Sequence, residues 1–356
     1  MKIAYVLPHP ELSGGNKVVV QHAHILRDLG HQVTVLGEGP APAWTRIEVP
    51  YLDYGSAASP SVAVALPEQD LVIATFWTTI GLVQRLGLGP AAHFCQGYEG
   101  DLAHLRPSLA EIEEAYRCPM PSLTVSPHLA ELLARRFGRA SRVVPPPVDP
   151  AFRPAARISP RRRPWVAVPG IFEAEVKDVR TALQAVEILR SKGVPARVLR
   201  FATLPLTDEE RRLLAPERYL CAVPPGEVAR RLRRCDLLIL PSRAAEGFGL
   251  PALEAMASGV PVVGSRIPSL ESFASGAAEL VPPGDAGAFA AAAHRLLTTP
   301  TAWRRARRAG LRAVRPFHSE RISAALDAAM GWARDHALSP SALTLQSSAA
   351  SIRPAP

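Results

Sequence analysis

No apolar run in the 356 residues approaches the roughly 18–20 that a membrane-spanning helix needs. The opening residues, Met1-Lys2-Ile3-Ala4-Tyr5-Val6-Leu7-Pro8, are too short and too β-like for a signal peptide. Cysteine is scarce: Cys95, Cys118, Cys221 and Cys235 stand far apart and lack metal-ligand spacing, which fits a reducing, cytoplasmic setting. No Asp-x-Asp closes a strand, so no divalent-metal site is expected. Also missing is the G-x-G-x-x-G that a nicotinamide-dependent oxidoreductase carries after its first strand, with an acidic residue about 20 positions later. Pro8-His9-Pro10-Glu11-Leu12-Ser13-Gly14-Gly15 stands there instead. The basic clusters, Arg161–Arg163, Arg230–Arg234 and Arg304–Arg308, are not interleaved with aromatics, so they do not form a stacking platform for nucleic acid.

Apolar material is ample. It makes up 47 % of a chain about two domains long, enough for two ordinary cores. Charged residues at 21 % argue against wholesale disorder. The net charge is +9, nearly all of the surplus arginine. That surplus suits an anionic partner such as nucleic acid, a membrane face or a phosphorylated substrate. It follows equally from a composition rich in Ala, Arg and Pro.

Short apolar runs alternate with amphipathic stretches. Lys2–Leu7 reads as a buried strand, and Gly14-Gly15 opens a helix with Val18, Val19, His22, Ile25, Leu26 and Leu29 at helical spacing. Gly30 ends that helix, and Gln32–Leu36 is the next strand, which completes a βαβ unit with parallel pairing. Leu71–Ala74, Ala91–Cys95, Leu123–Val125 and Arg142–Val144 are further strands, with a helix over Pro127–Phe137. Then Pro145-Pro146-Pro147, Pro150, Pro154 and Pro160 break the pattern, because proline fixes φ and lacks a donor. This stretch reads as an interdomain linker and hinge.

The alternation restarts with strands at Trp165–Val168, Arg197–Phe201, Asp236–Leu240, Val260–Gly264 and Glu279–Val281. Helices are expected over Asp178–Arg190, Pro225–Arg234, Pro251–Ser258, Ala286–Leu297, Thr301–Val314 and about Ser319–Asp335. The fold class is therefore α/β, two Rossmann-like domains whose ligand edges face a central cleft. The expected divisions are 1–150 and 165–316 for the two domains, 151–164 for the linker, 317–338 for a helix crossing back to the first domain, and 339–356 for a disordered tail rich in Ser, Ala and Pro.

One segment carries most of the chemistry. A buried strand ends at Pro241, a glycine-containing loop follows, and a helix starts near Pro251, whose missing N–H costs nothing at a first helical position. The backbone N–H groups from Gly247 to Leu250 then precede a helix N-terminus and suit a phosphate or sugar oxygen. Glu246 and Glu254 flank the loop, and a carboxylate accepts two hydrogen bonds from a vicinal diol. Glu254 has a second reading, as an early glutamate complementing the helix dipole. Gly14-Gly15, between a strand and a helix, reads either as a tight turn or as a phosphate or sugar contact.

Glu246 and Glu254, with Gly-Phe-Gly-Leu-Pro between them, resemble the E-x7-E motif of the retaining glycosyltransferases of the GT-B fold, family 4, also called glycosyl transferases group 1. The resemblance covers nearly the whole chain. Gly14-Gly15 looks like the family's N-terminal glycine loop and Gly30-His31-Gln32-Val33 like the segment after it. Ser126 with Val148-Asp149 matches the end of the first domain, and Ala255 to Val263 the stretch after the second glutamate. The resemblance implies that Glu254 holds the donor ribose, that Glu246 meets the transferred sugar, and that the backbone of Gly247, Phe248, Gly249 and Leu250, beside Ser242, meets sugar or diphosphate. It implies that Lys177 neutralises the departing diphosphate. Gln96, Glu99 and His104, placed after a strand of the first domain, read either as lining the acceptor side or as solvated loop residues.

The chain departs from the pattern in places. Gly170-Ile171 replaces the usual Gly-Arg, Asp178 replaces a glycine after Lys177, Pro146-Pro147 replaces Asn-Gly, and Gln96 stands near a usual histidine. Arg180 and Arg243 are the cations available to replace the missing arginine. The expected activity is metal-independent, retaining transfer from a nucleotide sugar, a substrate rather than a cofactor. The acceptor is a glycan, a lipid-linked sugar or a small molecule. The expected place is the cytoplasm, with room for peripheral contact at the inner, anionic face of the membrane and no nucleic-acid partner. The alternatives are an α/β protein that binds nucleic acid or anionic membranes, and another nucleotide-binding Rossmann enzyme.

Overall fold

A computed structural model describes residues 1–55 and 66–338 of the chain. The disorder expected for 339–356 lies outside the described residues. The described chain divides into two compact units. The first comprises Met1–Asp101, Leu105–Pro147 and the chain from Ser319 onward; the second comprises Leu102–His104 and Val148–His318.

In the first unit the strands are β1 (Lys2–Val6), β2 (Gln32–Gly37), β3 (Tyr51–Asp53), β4 (Leu71–Ala74), β5 (Ala91–Cys95), β6 (Ser122–Thr124) and β7 (Ser141–Val143). They form one parallel sheet in the order β3-β2-β1-β4-β5-β6-β7. The inner strands β4 and β5 are buried at every residue, as parallel strands covered on both faces must be. Its helices include α1 (Gly14–Asp28), α2 (Trp77–Leu86), α3 (Leu109–Arg117) and α4 (Pro127–Phe137). Ser13 caps α1: its Oγ accepts the Asn16 N–H at 3.0 Å, and Gly30 adopts φ +90 just past the end. The sequence reading did not include α2, whose Trp77-Thr78-Thr79-Ile80-Gly81 start favours a strand by propensity. The Thr79 hydroxyl settles it locally by accepting the N–H groups of Thr75 and Phe76 at 2.9 and 3.1 Å.

The second unit repeats the scheme with β8 (Trp165–Pro169), β9 (Arg197–Ala202), β10 (Arg218–Cys221), β11 (Leu237–Leu240), β12 (Val262–Ser265) and β13 (Glu279–Val281), ordered β10-β9-β8-β11-β12-β13. Helices α5 (Val179–Ser191), α6 (Asp208–Leu213), α7 (Pro225–Leu232), α8 (Leu250–Ala257), α9 (Pro268–Ala274), α10 (Ala286–Thr298) and α11 (Pro300–Ala313) connect and cover them. One core cluster joins the apolar faces of α5 and α10 to β8, β9, β11 and β12. The short edge strands β3 and β10 and the short helices α6 and α9 also escaped the sequence reading. Elements this short show too few periods to distinguish them from loops.

The stretch read as a linker, 151–164, is corrected by its bonds. It belongs to the second unit and is fastened there. Buried Asp236 pairs with Arg157 and Arg161 and accepts the N–H groups of Arg161 and Trp165 at 2.9 and 2.8 Å. Proline excluded helix and central strand from this segment, but side-chain anchoring replaced the backbone ladder. The final helix, α12 (Ser319–His336), belongs to the first unit and packs on α1 and β4–β6. Ile322, Leu326, Ala329, Met330 and Ala333 form its buried stripe at helical spacing.

Candidate active site

Ligands of open parallel sheets bind beyond the carboxyl ends of the strands, where the strand order reverses. In the second unit that reversal lies between β8 and β11. The chain leaving β8 carries Lys177, and the chain leaving β11 carries Ser242, Glu246 and the glycine loop. The sheet topology therefore brings to one point residues about 70 positions apart in sequence.

Lys177 ends a 3-10 turn, Glu175–Lys177, and its stem rests on Gly170. A Cβ added to Gly170 would lie 3.0 Å from the Lys177 Cβ and 3.2 Å from its Cγ, and Gly170 adopts φ +108. Only glycine satisfies both demands without strain. From this platform the Lys177 Nζ donates to Glu246 Oε2 at 2.7 Å, and the Ser242 hydroxyl donates to the same oxygen at 2.8 Å. The Gly249 N–H also donates to the Glu246 carboxylate. Burial alone would raise the Glu246 pKa. The Lys177 charge and hydrogen bond, then Ser242 and Gly249, outweigh it and hold the carboxyl below its ordinary value.

The loop after Glu246 is shaped by packing. Gly249 caps α8 at φ +94, and an added Cβ would stand 2.6 Å from Leu270 Cδ2. The Phe248 ring stacks on Phe273 at 4.7 Å and meets Phe317 edge-on at 5.7 Å. Phe248 thus offers a ligand its main chain rather than its ring. Gly247 is buried, and Leu250 and Pro251 start α8. Glu254 follows one turn into α8 and is nearly buried, at 6 % exposure.

The two substitute cations differ. Arg180 turns to Glu209 and lies over the Phe172 ring at 5.2 Å. Arg243 pairs at 2.6 Å with Asp178, the residue after Lys177, while its backbone N–H donates to Val176 O at 2.8 Å. Arg243 therefore joins the chain leaving β11 to the chain leaving β8. Asp178 adopts φ 42 and spends its carboxylate on Arg243 rather than on capping α5.

In the first unit Gly14 and Gly15 are the first residues of α1, after β1 at that sheet's own reversal between β1 and β4. The Gln96 Nε2, beyond β5, donates to Gly15 O at 3.2 Å and lies 3.0 Å from where a Gly15 Cβ would be. Glu99 differs from the open loop residue that its sequence context suggests. It is buried in the 3-10 turn Glu99–Asp101 and accepts the Tyr116 phenol at 2.5 Å. Burial pushes its carboxyl up to about 7, with the Tyr116 bond and its own N–H pulling the other way. His104 is exposed on the turn Ala103–Ser108.

Sequence reasoning missed three residues that build these sites: Tyr116 under Glu99, and the buried pair Arg200–Glu210 under Gly170. An arginine amid the apolar run of β9 was the available signal. Among the described residues no cluster of metal-ligating side chains occurs, and no helix is long and apolar enough to cross a membrane.

The profile of the family described as "Glycosyl transferases group 1" matches residues 163–299. A phosphatidyl-myo-inositol mannosyltransferase from Mycolicibacterium smegmatis is 29 % identical over 342 residues, covering 82 % of this chain and 83 % of that protein. A glycogen synthase from Mycobacterium tuberculosis is 34 % identical over 210 residues, covering 56 % of this chain and 48 % of that protein. Among solved structures, Anabaena HepE in complex with UDP-glucose superposes with a TM-score of 0.76 at 16 % identity, covering 93 % of this chain and 99 % of that one. Sucrose-phosphate synthase from Thermosynechococcus elongatus gives a TM-score of 0.70 at 19 % identity, covering 91 % and 96 %. The matched profile spans the Lys177 turn, the Glu246 loop and Glu254, and the structural likeness spans both units. Residues 163–299 match the group 1 glycosyltransferases, the chain has the GT-B fold of two Rossmann-like domains, and its activity is sugar transfer from a nucleotide-sugar donor.

Proposed function

We propose that the second domain holds the donor at the reversal between β8 and β11, and that transfer proceeds with retention of anomeric configuration and without a divalent metal. The observation that carries this reading is the cluster of Lys177, Ser242 and Glu246 beside the Gly249 N–H at the start of α8. As a nucleoside diphosphate leaves, negative charge grows on phosphate. A fixed cation and a helix N-terminus stabilise that charge best in a site already shaped for it. Lys177 supplies the cation, and the backbone from Gly247 to Leu250 supplies the donors. Glu246 meets the transferred sugar and Glu254 the ribose hydroxyls. Gln96, Glu99 and His104 serve the acceptor.

The mannosyltransferase relative's name favours a lipid-linked acceptor over a free glycan or a small molecule. The +9 charge suits peripheral contact with the anionic membrane where such an acceptor resides.

The test is proton NMR of the product made from an α-linked nucleotide sugar, with and without EDTA. An α-linked product in both conditions is expected. A β-linked product would remove the retaining assignment, and loss of turnover in EDTA would remove metal independence.

A further inference from the structure

A fully buried charge lies beneath the Lys177 loop. Arg200, on β9, is completely inaccessible, and its Cα pairs in register with Val168 of β8. A guanidinium in such a place must have all its partners. Nη1 donates to Val168 O at 2.7 Å, Nη2 donates to Gly170 O at 2.8 Å, and Nε pairs with Glu210. Glu210 is equally buried, in α6, and its N–H donates to the hydroxyl of the capping residue Thr207 at 3.2 Å.

These bonds fix one peptide group in particular. Gly170 is where the chain leaves β8. Its N–H donates to Phe201 O at 3.0 Å, and its carbonyl is taken by Arg200. Both polar groups of the residue are thus held by β9, although its φ of +108 has left strand geometry. The Lys177 stem rests on this glycine, and its Nζ reaches Glu246. A well-packed apolar pair often serves stability as well as a buried ion pair does. The rigid fork of an arginine adds something apolar packing cannot, a fixed position for two carbonyls at once.

We propose that Arg200 and Glu210 are positioning residues: a buried latch that holds Gly170 and thereby keeps Lys177 aimed at the donor diphosphate. Neither touches the donor, and the inference rests on the diphosphate role proposed for Lys177. The latch needs the planar fork, so lysine cannot replace Arg200 although it keeps the charge.

A double-mutant cycle tests the proposal. UDP and GDP are titrated by calorimetry into the full chain and into Arg200→Lys, Lys177→Ala and the double variant, at a temperature where circular dichroism shows each folded. Lys177→Ala should weaken the bound nucleoside diphosphate about 10-fold or more, the worth of a charge-assisted hydrogen bond. Arg200→Lys should weaken it severalfold, and the double variant should bind no more weakly than Lys177→Ala alone. If Arg200→Lys lowers affinity by the same factor in both backgrounds, its role is general structure and the latch is overturned. An effect of Lys177→Ala with none of Arg200→Lys overturns the latch alone. No effect of Lys177→Ala overturns the role of Lys177 and the latch with it. Should Arg200→Lys fail to fold, Glu210→Gln takes its place in the same cycle with the same expected outcomes.

Discussion

Gly170 and Lys177 are coupled through contact. Alanine at 170 would press a methyl group on the lysine stem and hold a strained φ at once. Strain of this kind costs about 1–3 kcal/mol, and Lys177 is the part free to move. Gly170→Ala should therefore reduce turnover about tenfold or more while the protein stays folded; unchanged steady-state rates would show that the platform is not needed. Glu246 and Glu99 are both buried, and their partners set opposite outcomes. Lys177, Ser242 and Gly249 together more than offset desolvation at Glu246, whereas Glu99 has only a neutral phenol and its own N–H and stays up at about 7. Between the ordinary value of 4.5 and 7, Glu99 keeps its proton when folded and loses it when unfolded. The folded state then binds more protons, so stability from this group is full below pH 4.5 and falls as pH rises to 7. The loss is on the order of 3 kcal/mol. Denaturant melts of the parent and of Glu99→Gln at pH 4.5, 6 and 7.5 should show this decline in the parent only. Parallel curves would place the Glu99 pKa elsewhere.

The segment from 148 to 164 shows how an element without a backbone ladder is held. Its proline content was legible and excluded helix and central strand. Its attachment was not, because that depends on Asp236 meeting Arg157, Arg161 and Trp165 from more than 70 positions away. Asp236→Ala leaves Arg157 facing a void and frees two backbone donors. Removing one partner of a buried pair costs about 3–5 kcal/mol, so the urea midpoint of the second domain should fall clearly. A shift equal to that of a surface substitution would mean that the segment is held by other contacts. The glycine loop before α8 illustrates the reverse case. Gly247, Gly249 and Pro251 announced a loop and a helix start in the sequence. That Gly249 must be glycine also follows from Leu270 at 2.6 Å, a contact supplied by α9, which the sequence reading had not found.

At the scale of the molecule, the first domain is built from separated pieces of chain, because α12 returns to it after Val148–His318 of the second domain. The helix covers α1 and β4–β6, and Leu326 and Met330 are fully buried there. The Tyr5 phenol donates to Met330 Sδ at 4.0 Å, and His31 meets Asp327 at 2.8 Å. Leu326→Ala should cost the first domain about 2–5 kcal/mol, as large-to-small changes in a core do. A chain ending at His318 should lose the cooperative unfolding of the first domain and keep that of the second. Calorimetry showing two intact transitions in that truncated chain would mean that the helix is an accessory and not part of the core.

The sequence by itself determined the two α/β halves, the parallel pairing within each, and the motif that lies in the matched glycosyltransferase segment. These depend on local periodicity and on residues close together, such as Glu246, Gly249 and Glu254, whose spacing follows from one loop and one helix. It could not show that Arg200 fastens Gly170, that Lys177 meets Glu246, or that Glu99 is buried under Tyr116. Those pairings join side chains from different βα units. Which units become neighbours is decided by strand order, and which charge survives burial is decided by the partner that packing brings to it.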